Sequence, residues 1–267
     1  MGIKGEGSGQ RRAVQVQRPS DRRSLSRSAT RALDVLEYFG LMRRPLRAIE
    51  IARALDLHPS TANQLLKTMV GSAHLSFDAS SKTYLPSPRL ARFSHWITDT
   101  YGGDRLWRLI RNVQAKSGEI VTLTTPNDLF MQVVDIVGID PGSTDVLGGE
   151  RGLSVSIFGS AIGFAYLATQ PDREITRLAE RARLTTSEQS TLFLRIVDIR
   201  RTGFAEEANV EGSVWSLAMP LKAEWFAVPL VLGLAGPKDR VVNNLVELKA
   251  IFRCEVGYLE AAGKSRD

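Results

Sequence analysis

Cysteine, histidine and uninterrupted hydrophobic sequence are all scarce in this chain of 267 residues. A lone cysteine, Cys254, excludes an intrachain disulfide and any site built from several thiolates, and suits a cytoplasmic setting. Its place in a helical C-terminal stretch predicts a buried, unreactive thiol. The three histidines, His58, His74 and His95, are scattered and match no zinc-binding spacing, so neither metal nor cofactor is expected. Nowhere do about 18 apolar residues follow one another, and the first apolar stretch is broken by arginines, so neither a membrane span nor a signal peptide is expected.

Catalytic patterns are missing too. Gly159-Ser160-Ala161-Ile162-Gly163 places its serine one position too early for a nucleophile elbow, and no histidine follows His95. Gly148-Gly149-Glu150-Arg151-Gly152 lacks the spacing of a nucleotide-binding loop and is expected to be a connection between elements. Glu206-Glu207 is expected to be an ordinary surface pair. No enzymatic activity is expected.

What is present is a globular composition, 43% hydrophobic and 24% charged, with an uneven charge distribution. Residues 1–100 carry 16 Lys/Arg against 8 Asp/Glu, whereas residues 101–267 carry 19 against 21. The positive charge therefore lies at the front, where it suits a polyanionic partner.

Residues 1–23 lack apolar periodicity and contain Arg11-Arg12 and Arg22-Arg23, which predicts a flexible basic arm able to add phosphate contacts. A first helix is expected from an N-cap at Ser28 to Gly40, with Leu33, Leu36 and Phe39 inward. A second covers Ala48–Leu55, with Ile49, Ala52 and Leu55 inward. A third starts at Pro59, with Ala62, Leu65, Leu66 and Met69 apolar. Only Asp56, Leu57 and His58 separate the last two, so the helices must cross steeply, as in a helix-turn-helix.

The outer face of the third helix carries Ser60, Thr61, Asn63, Gln64 and Lys67, groups able to reach base edges and phosphates. Leu75 to Phe77 and Thr83 to Leu85 read as strands around a polar turn, a candidate wing with Lys82 next to its tip. The DNA-binding domain is thus expected over residues 24–86, followed by a linking helix over 87–103 that carries Leu90, Phe93, Trp96 and Ile97.

The remainder, 104–263, mixes helices and strands. A stripe of Leu106, Leu109, Ile110 and Val113 ends at Gly118, and Ile120–Thr125 and Phe130–Val137 form a hairpin at Asn127-Asp128. Helices are expected over Ser160–Thr169, over Asp172–Arg183 with Asp172 as N-cap, and from Ser187 to just before Gly203. Strands follow over Val214–Leu221 and Phe226–Leu234, then one helix from Lys238 to about Ala261. Paired strands with intervening helices predict an α+β domain with an antiparallel sheet. The start of the helix at Gly159, Ser160 and Ala161 is compatible with an anionic ligand, because backbone N–H groups there lack intrahelical partners; the same small residues would equally serve a tight strand-to-helix turn.

Ser28-Ala-Thr-Arg-Ala-Leu-Asp-Val-Leu, the run from Ile49 to Leu66, and the wing ending Thr83-Tyr84-Leu85 resemble the DNA-binding domain of the IclR family of bacterial transcription factors. Phe158-Gly-Ser-Ala-Ile-Gly-Phe-Ala-Tyr-Leu-Ala, Arg200-Arg-Thr-Gly-Phe-Ala, Ser216-Leu-Ala-Met-Pro and Leu234-Ala-Gly-Pro extend the resemblance in the family's order, over about Arg23 to Gly263. It implies a winged helix-turn-helix, a GAF-like effector-binding domain, double-stranded operator DNA and a small organic molecule as partners, and a homodimer or homotetramer. The family often has arginine where Gln64 stands, glycine where Asp56 stands and lysine where Phe164 stands.

Where some acid-binding relatives place a cysteine and serines, this chain offers Ser216, Gly233 and Ala235, which with Gly159, Ser160 and Ala161 are the candidate effector residues. With Trp215, Phe158 and Phe164 nearby, an aromatic or partly apolar effector is expected. The competing reading is a small-molecule-binding protein whose helix-turn-helix serves oligomerisation.

Overall fold

The computed structural model describes residues 16–17, 26–93, 104–138, 153–209, 211–222, 226 and 228–263. The chain divides into two compact units, one of residues 22–100 and one of residues 1–21 together with 101–267. The larger unit begins with a two-residue strand, β1 (Val16–Gln17), inside the segment expected to hold no packed element.

In the smaller unit, α1 (Arg27–Met42) starts two residues earlier than expected. Ser26 is its N-cap, accepting from the Ala29 N–H at 3.5 Å, and the helix passes through Gly40 to end at Arg43 in the left-handed region, φ 49°. Its buried stripe is Val35 and Phe39, one turn apart, flanked by Ala32 and Leu36. Leu33, expected inward, is 62% exposed, because it stands roughly 200° around the axis from Val35.

The next helix, α2 (Ala48–Ala54), buries Ile51 and Ala52 and leaves Ile49, also expected inward, 46% exposed. A tight turn leads to α3 (Pro59–Gly71): the Leu57 N–H returns to the Ala52 carbonyl at 2.8 Å, and Asp56 adopts φ 48°. That conformation explains why glycine suits this position in similar sequences, and why a short polar side chain is tolerated. Pro59 starts α3 where a missing N–H costs nothing, and Ala62, Leu66 and Met69 turn inward. Leu66 and Ile51 are fully buried, each contributing about 1.5–3 kcal/mol from burial.

Strands β2 (Leu75–Asp78) and β3 (Thr83–Pro86) pair antiparallel with Phe77 opposite Tyr84, as expected for a wing. Leu46 and Tyr84 exchange backbone hydrogen bonds of 3.1 and 2.8 Å, an isolated β-bridge that ties the wing to the segment between the first two helices. Pro88–Leu90 forms one turn of 3-10 helix. Trp96, Ile97 and the rest of the expected linking helix lie outside the described residues, as does the Gly148–Gly152 connection.

The larger unit continues with α4 (Arg105–Ser117), its apolar stripe as expected and Gly118 as C-cap, then the hairpin of β4 (Ile120–Asn127) and β5 (Phe130–Val137). Next come β6 (Ser154–Ser156), α5 (Ala161–Ala168), α6 (Asp172–Arg181) and α7 (Thr186–Thr202). Pro171, not Asp172, precedes α6; Asp172 instead pairs with Arg200 at 2.8 Å. Two strands had no clear signal, β6 and β7 (Ala205–Ala208).

β8 (Val214–Pro220) and β9 (Val231–Pro237) complete the sheet. β9 starts five residues later than expected, after a connection that contains Pro229, which has no N–H to give a ladder. The expected single terminal helix is two, α8 (Lys238–Asn243) and α9 (Leu245–Gly263), separated at Asn244, whose side-chain amide turns back to the Arg240 carbonyl at 2.9 Å. Cys254 on α9 is exposed, not buried as expected, because the inward positions there are Leu248, Phe252, Glu255 and Val256.

All strand pairs are antiparallel and the order is β1-β6-β5-β4-β9-β8-β7. One sheet face packs Val121, Leu123, Leu217, Leu232 and Leu234 against α4, α8 and α9. The other packs Met131, Ala205, Ala218 and Val231 against α5, α6 and α7. This three-layer α/β/α arrangement leaves the sheet's second face to α5, and with it most of the residues singled out in this half of the chain.

Candidate functional site

On α3, Ser60, Asn63, Gln64 and Lys67 are exposed and Thr61 is half-buried, opposite the packed side of Ala62, Leu66 and Met69. Positions 60, 63, 64 and 67 share one face at the helical spacing, so they form a continuous polar stripe nearly two turns long. The start of α3 is fixed by His58, whose Nδ1 accepts from the Ser60 N–H at 3.4 Å and lies 2.7 Å from the Ser60 hydroxyl. Ser60 is thereby held as part of the cap, a constraint that its residue type alone does not announce.

The wing tip is ordered by Asp78. Its carboxylate accepts from the Ser80 N–H at 2.9 Å and from the hydroxyls of Ser80 and Ser81 at 2.7 and 2.6 Å. Hydrogen bonds from Ser81 and Ser80 bring its pKa down to about 2, so the tip carries a fixed negative charge. Lys82, exposed beside it, adopts φ 54°, a left-handed conformation that sets the direction of its side chain away from the regular strand.

In the larger unit the candidate residues converge on the α5 side of the sheet. Ser216 pairs with Ala235, and Ala235 with Ile120; Gly233 pairs with Ala218 and with Thr122. Residues directly opposite one another share a face, so Ser216, Ala235 and Gly233 form a floor of small side chains. Gly233 is required by closeness: a Cβ there would meet the Thr122 hydroxyl at 2.6 Å and the Ile162 side chain at 2.7 Å.

Ser160 is the N-cap of α5, accepting from the Gly163 N–H at 3.2 Å and donating to the Ser156 carbonyl at 2.7 Å. Its hydroxyl is therefore committed to the fold. Gly159, at φ 99°, makes the turn into the helix, and Ala161 is buried in the core behind it.

Three residues of this face escaped the sequence reading. Thr122 brings a hydroxyl, without a hydrogen-bond partner among the described residues, next to Gly233. Glu207, read as one of a surface pair, is only 9% exposed, stands directly across from Ser216 and is salt-bridged to Arg195 on α7. The Arg195 guanidinium lies 5.2 Å over the Phe164 ring. Alternation along β7 could have marked Glu207 as inward, but the run Ala-Glu-Glu-Ala has too little β-branched character to announce a strand. Trp215, by contrast, packs with the core on the opposite face, so it does not line this floor. Its indole N–H is buried with no partner among the described residues.

A winged helix-turn-helix with an exposed polar recognition face, joined in one chain to an α+β unit, defines a DNA-binding transcriptional regulator with an effector domain. Residues 28–72 match the IclR helix-turn-helix domain and residues 106–254 match the C-terminal domain of bacterial transcriptional regulator IclR; the chain belongs to the IclR family.

No curated protein matches the sequence. Among solved structures it is similar to an IclR-family transcriptional regulator from Brucella abortus, at 22% identity and TM-score 0.53, covering 91% of this chain and 94% of that one. It is also similar to the IclR of Thermotoga maritima, at 15% and 0.54, covering 86% and 96%. A third is HmgR of Pseudomonas aeruginosa, at 19% and 0.51, covering 85% and 98%. At these identities the likeness is one of fold. Among the described residues no helix is long and apolar enough to cross a membrane.

Proposed function

We propose that this protein binds double-stranded operator DNA as a homodimer or homotetramer, with α3 in the major groove and the wing on the backbone. A small organic effector, aromatic or partly apolar, binds on the α5 face of the sheet and changes operator occupancy, controlling a catabolic operon. The observation that carries the reading is the exposed stripe of Ser60, Asn63, Gln64 and Lys67 on a helix held down by Ala62, Leu66 and Met69. An effector alters occupancy only through unequal affinity for the DNA-competent and incompetent arrangements.

The test is electrophoretic mobility shift of the purified protein on its own upstream intergenic DNA, against unrelated competitor and over a salt series. A specific, salt-sensitive shift is expected. Its absence at modest salt would favour the small-molecule-binding protein whose helix-turn-helix serves oligomerisation.

Residue roles separate in the same assay. Lys67→Ala should weaken binding on all sequences and lower the salt slope by about one, as for a lost phosphate contact, whereas Asn63→Ala should change the preferred sequence at a cost of about 1–3 kcal/mol. Equal, sequence-independent losses from both would overturn these assignments. Lys82→Gly should also reduce the salt slope while leaving thermal stability unchanged or slightly raised, since glycine accepts φ 54° without strain. A salt slope identical to wild type would take Lys82 out of the interface.

A further inference from the structure

On the face of the sheet away from α5, helices α4 and α9 run past one another in opposite directions. Near the end of α4, Lys116 and Asn112 donate to a single carboxylate, Glu255 of α9, at 2.5 and 2.9 Å. Burial works against a charge on Glu255, which is 4% exposed, but the hydrogen bonds from Lys116 and Asn112 outweigh it and hold its pKa below the usual carboxylate value. That carboxylate is ionised and already engaged.

Towards the start of α4 the charges no longer balance. Arg105 and Arg108, one turn apart, line a cavity of about 190 Å³ that has Leu109, Tyr258 and Leu259 as its apolar wall and the Glu255 cluster at its far end. Neither guanidinium has a hydrogen bond or an ion pair among the described residues. Asp104 precedes the helix without a side-chain cap bond, and the first turn holds no acidic residue. The helix as a whole carries four Lys/Arg and no Asp/Glu, in a half of the chain where acidic residues outnumber basic ones. Two like charges on adjacent turns, at the end of a helix whose dipole disfavours them, form an arrangement that an anion in the cavity would relieve.

The cavity also limits which anion. Its volume is roughly that of six water molecules, room for one phosphoryl group and a short carbon body. Two guanidiniums present more planar donors, and more charge, than one carboxylate can use, whereas a phosphate monoester offers three acceptor oxygens and close to two charges at neutral pH.

We infer that the cleft between the start of α4 and the end of α9 is a phosphate site: Arg105 and Arg108 bind the phosphoryl group of a small phosphorylated molecule or of inorganic phosphate, with Leu109, Leu259 and the Tyr258 ring against its body. The site belongs to the helical layer opposite α5 and is separate from the proposed effector site.

The experiment is isothermal titration of the full chain with inorganic phosphate and with glycerol 3-phosphate, at about pH 7.5 and constant ionic strength, with glycerol and sodium chloride as blanks. Both phosphates should bind and neither blank should. Arg105→Gln and Arg108→Gln should each weaken binding about tenfold, the effect of one charge-assisted hydrogen bond, and the double variant should abolish it. Arg111→Gln, on the same helix but outside the cavity, should bind as wild type. Thermal unfolding of the double variant without ligand should match or exceed wild type, because the repulsion is gone. Equal affinity for the two phosphates would make inorganic phosphate a sufficient ligand and a preference for the ester would point to a phosphorylated metabolite; both support the site.

No binding up to about 10 mM, binding that survives in the double variant, or an equal loss from Arg111→Gln would each overturn the inference. So would a double variant that lowers the salt slope of operator binding while phosphate fails to bind wild type, which would assign the arginines to DNA instead. A protein that binds phosphate but does not shift its operator would keep this site and remove only the DNA-binding reading.

Discussion

Replacing Gly163 by alanine is expected to destabilise the larger unit by about 3 kcal/mol, near the top of the range for overpacking a core. Gly163 lies inside α5, where intrinsic propensity alone would favour alanine by about 0.5–1 kcal/mol. The contacts reverse that sign. A Cβ would stand 2.3 Å from the Ile157 carbonyl oxygen and 2.5 Å from its C and Cα, all backbone atoms of a residue that is fully buried.

Neither side can give, because Ile157 follows directly on β6 and α5 is pinned by the Ser160 cap and by Phe164 and Ala165 in the core. The helix must lift off the sheet, carrying Ile162 away from Gly233. For a unit of this size the loss corresponds to a fall of roughly 6–12 °C in Tm. Thermal unfolding followed by tryptophan fluorescence would read it, since three of the four tryptophans, Trp107, Trp215 and Trp225, belong to the larger unit. A Tm within a degree of wild type would show that the close approach of α5 to Ile157 is not a constraint on this fold.

Removing Arg240 should have the next largest effect. Glu119 is 3% exposed at the start of β4 and its carboxylate is forked by the Nε and Nη2 of Arg240, the latter at 2.7 Å. The same carboxylate raises the Arg240 pKa above its ordinary value, chiefly through the hydrogen bond and then through its charge. It lies so close over Gly236 that a Cβ there would be 2.0 Å from Oε2, so the carboxylate has no room to turn towards water on that side.

Arg240→Ala therefore leaves a buried charge without its partner, a change that typically costs about 3–5 kcal/mol. Because the Arg240 side chain is 57% exposed, water can replace part of the interaction, and about 2–3 kcal/mol is expected in urea unfolding. Adding Glu119→Gln to Arg240→Ala should recover part of the loss. A cost under about 1 kcal/mol would class the pair with ordinary surface ion pairs.

The smaller unit was legible because its signals are local. Pro59, the three-residue turn and the polar stretch between Leu75 and Leu85 each fix backbone geometry within a few residues. The errors there were rotational: Leu33 and Ile49 are apolar, but Val35 and Ile51 win the inward position, and that choice depends on which face the neighbouring helix offers. In the larger unit the hairpin at Asp128 and the caps at Gly118 and Gly203 were readable, whereas β6 and β7 are too short and too ordinary in composition.

The effector-side residues were partly legible. Ser216, Gly233 and Ala235 do share one face, yet Glu207 and Arg195 come together only because β7 lies beside β8 and α7 packs against α5, the helix that covers these strands. No spacing in the sequence encodes a partnership between a strand and a helix that approach through tertiary packing. The same limit explains Trp215, whose neighbour Ser216 suggested a common environment although successive strand residues face opposite ways.

Strand β1 pairs with β6 through Val16 opposite Val155 and Gln17 opposite Ser154. In topological terms the DNA-binding unit is therefore an insertion: chain belonging to the larger unit both precedes and follows it. The β1–β6 ladder is only two residues long, and its hydrogen bonds are worth about 0.5–1.5 kcal/mol each. While it holds, a segment that comes before the DNA-binding unit in the sequence covers the outer edge of β6, which would otherwise stand as an unpaired sheet edge.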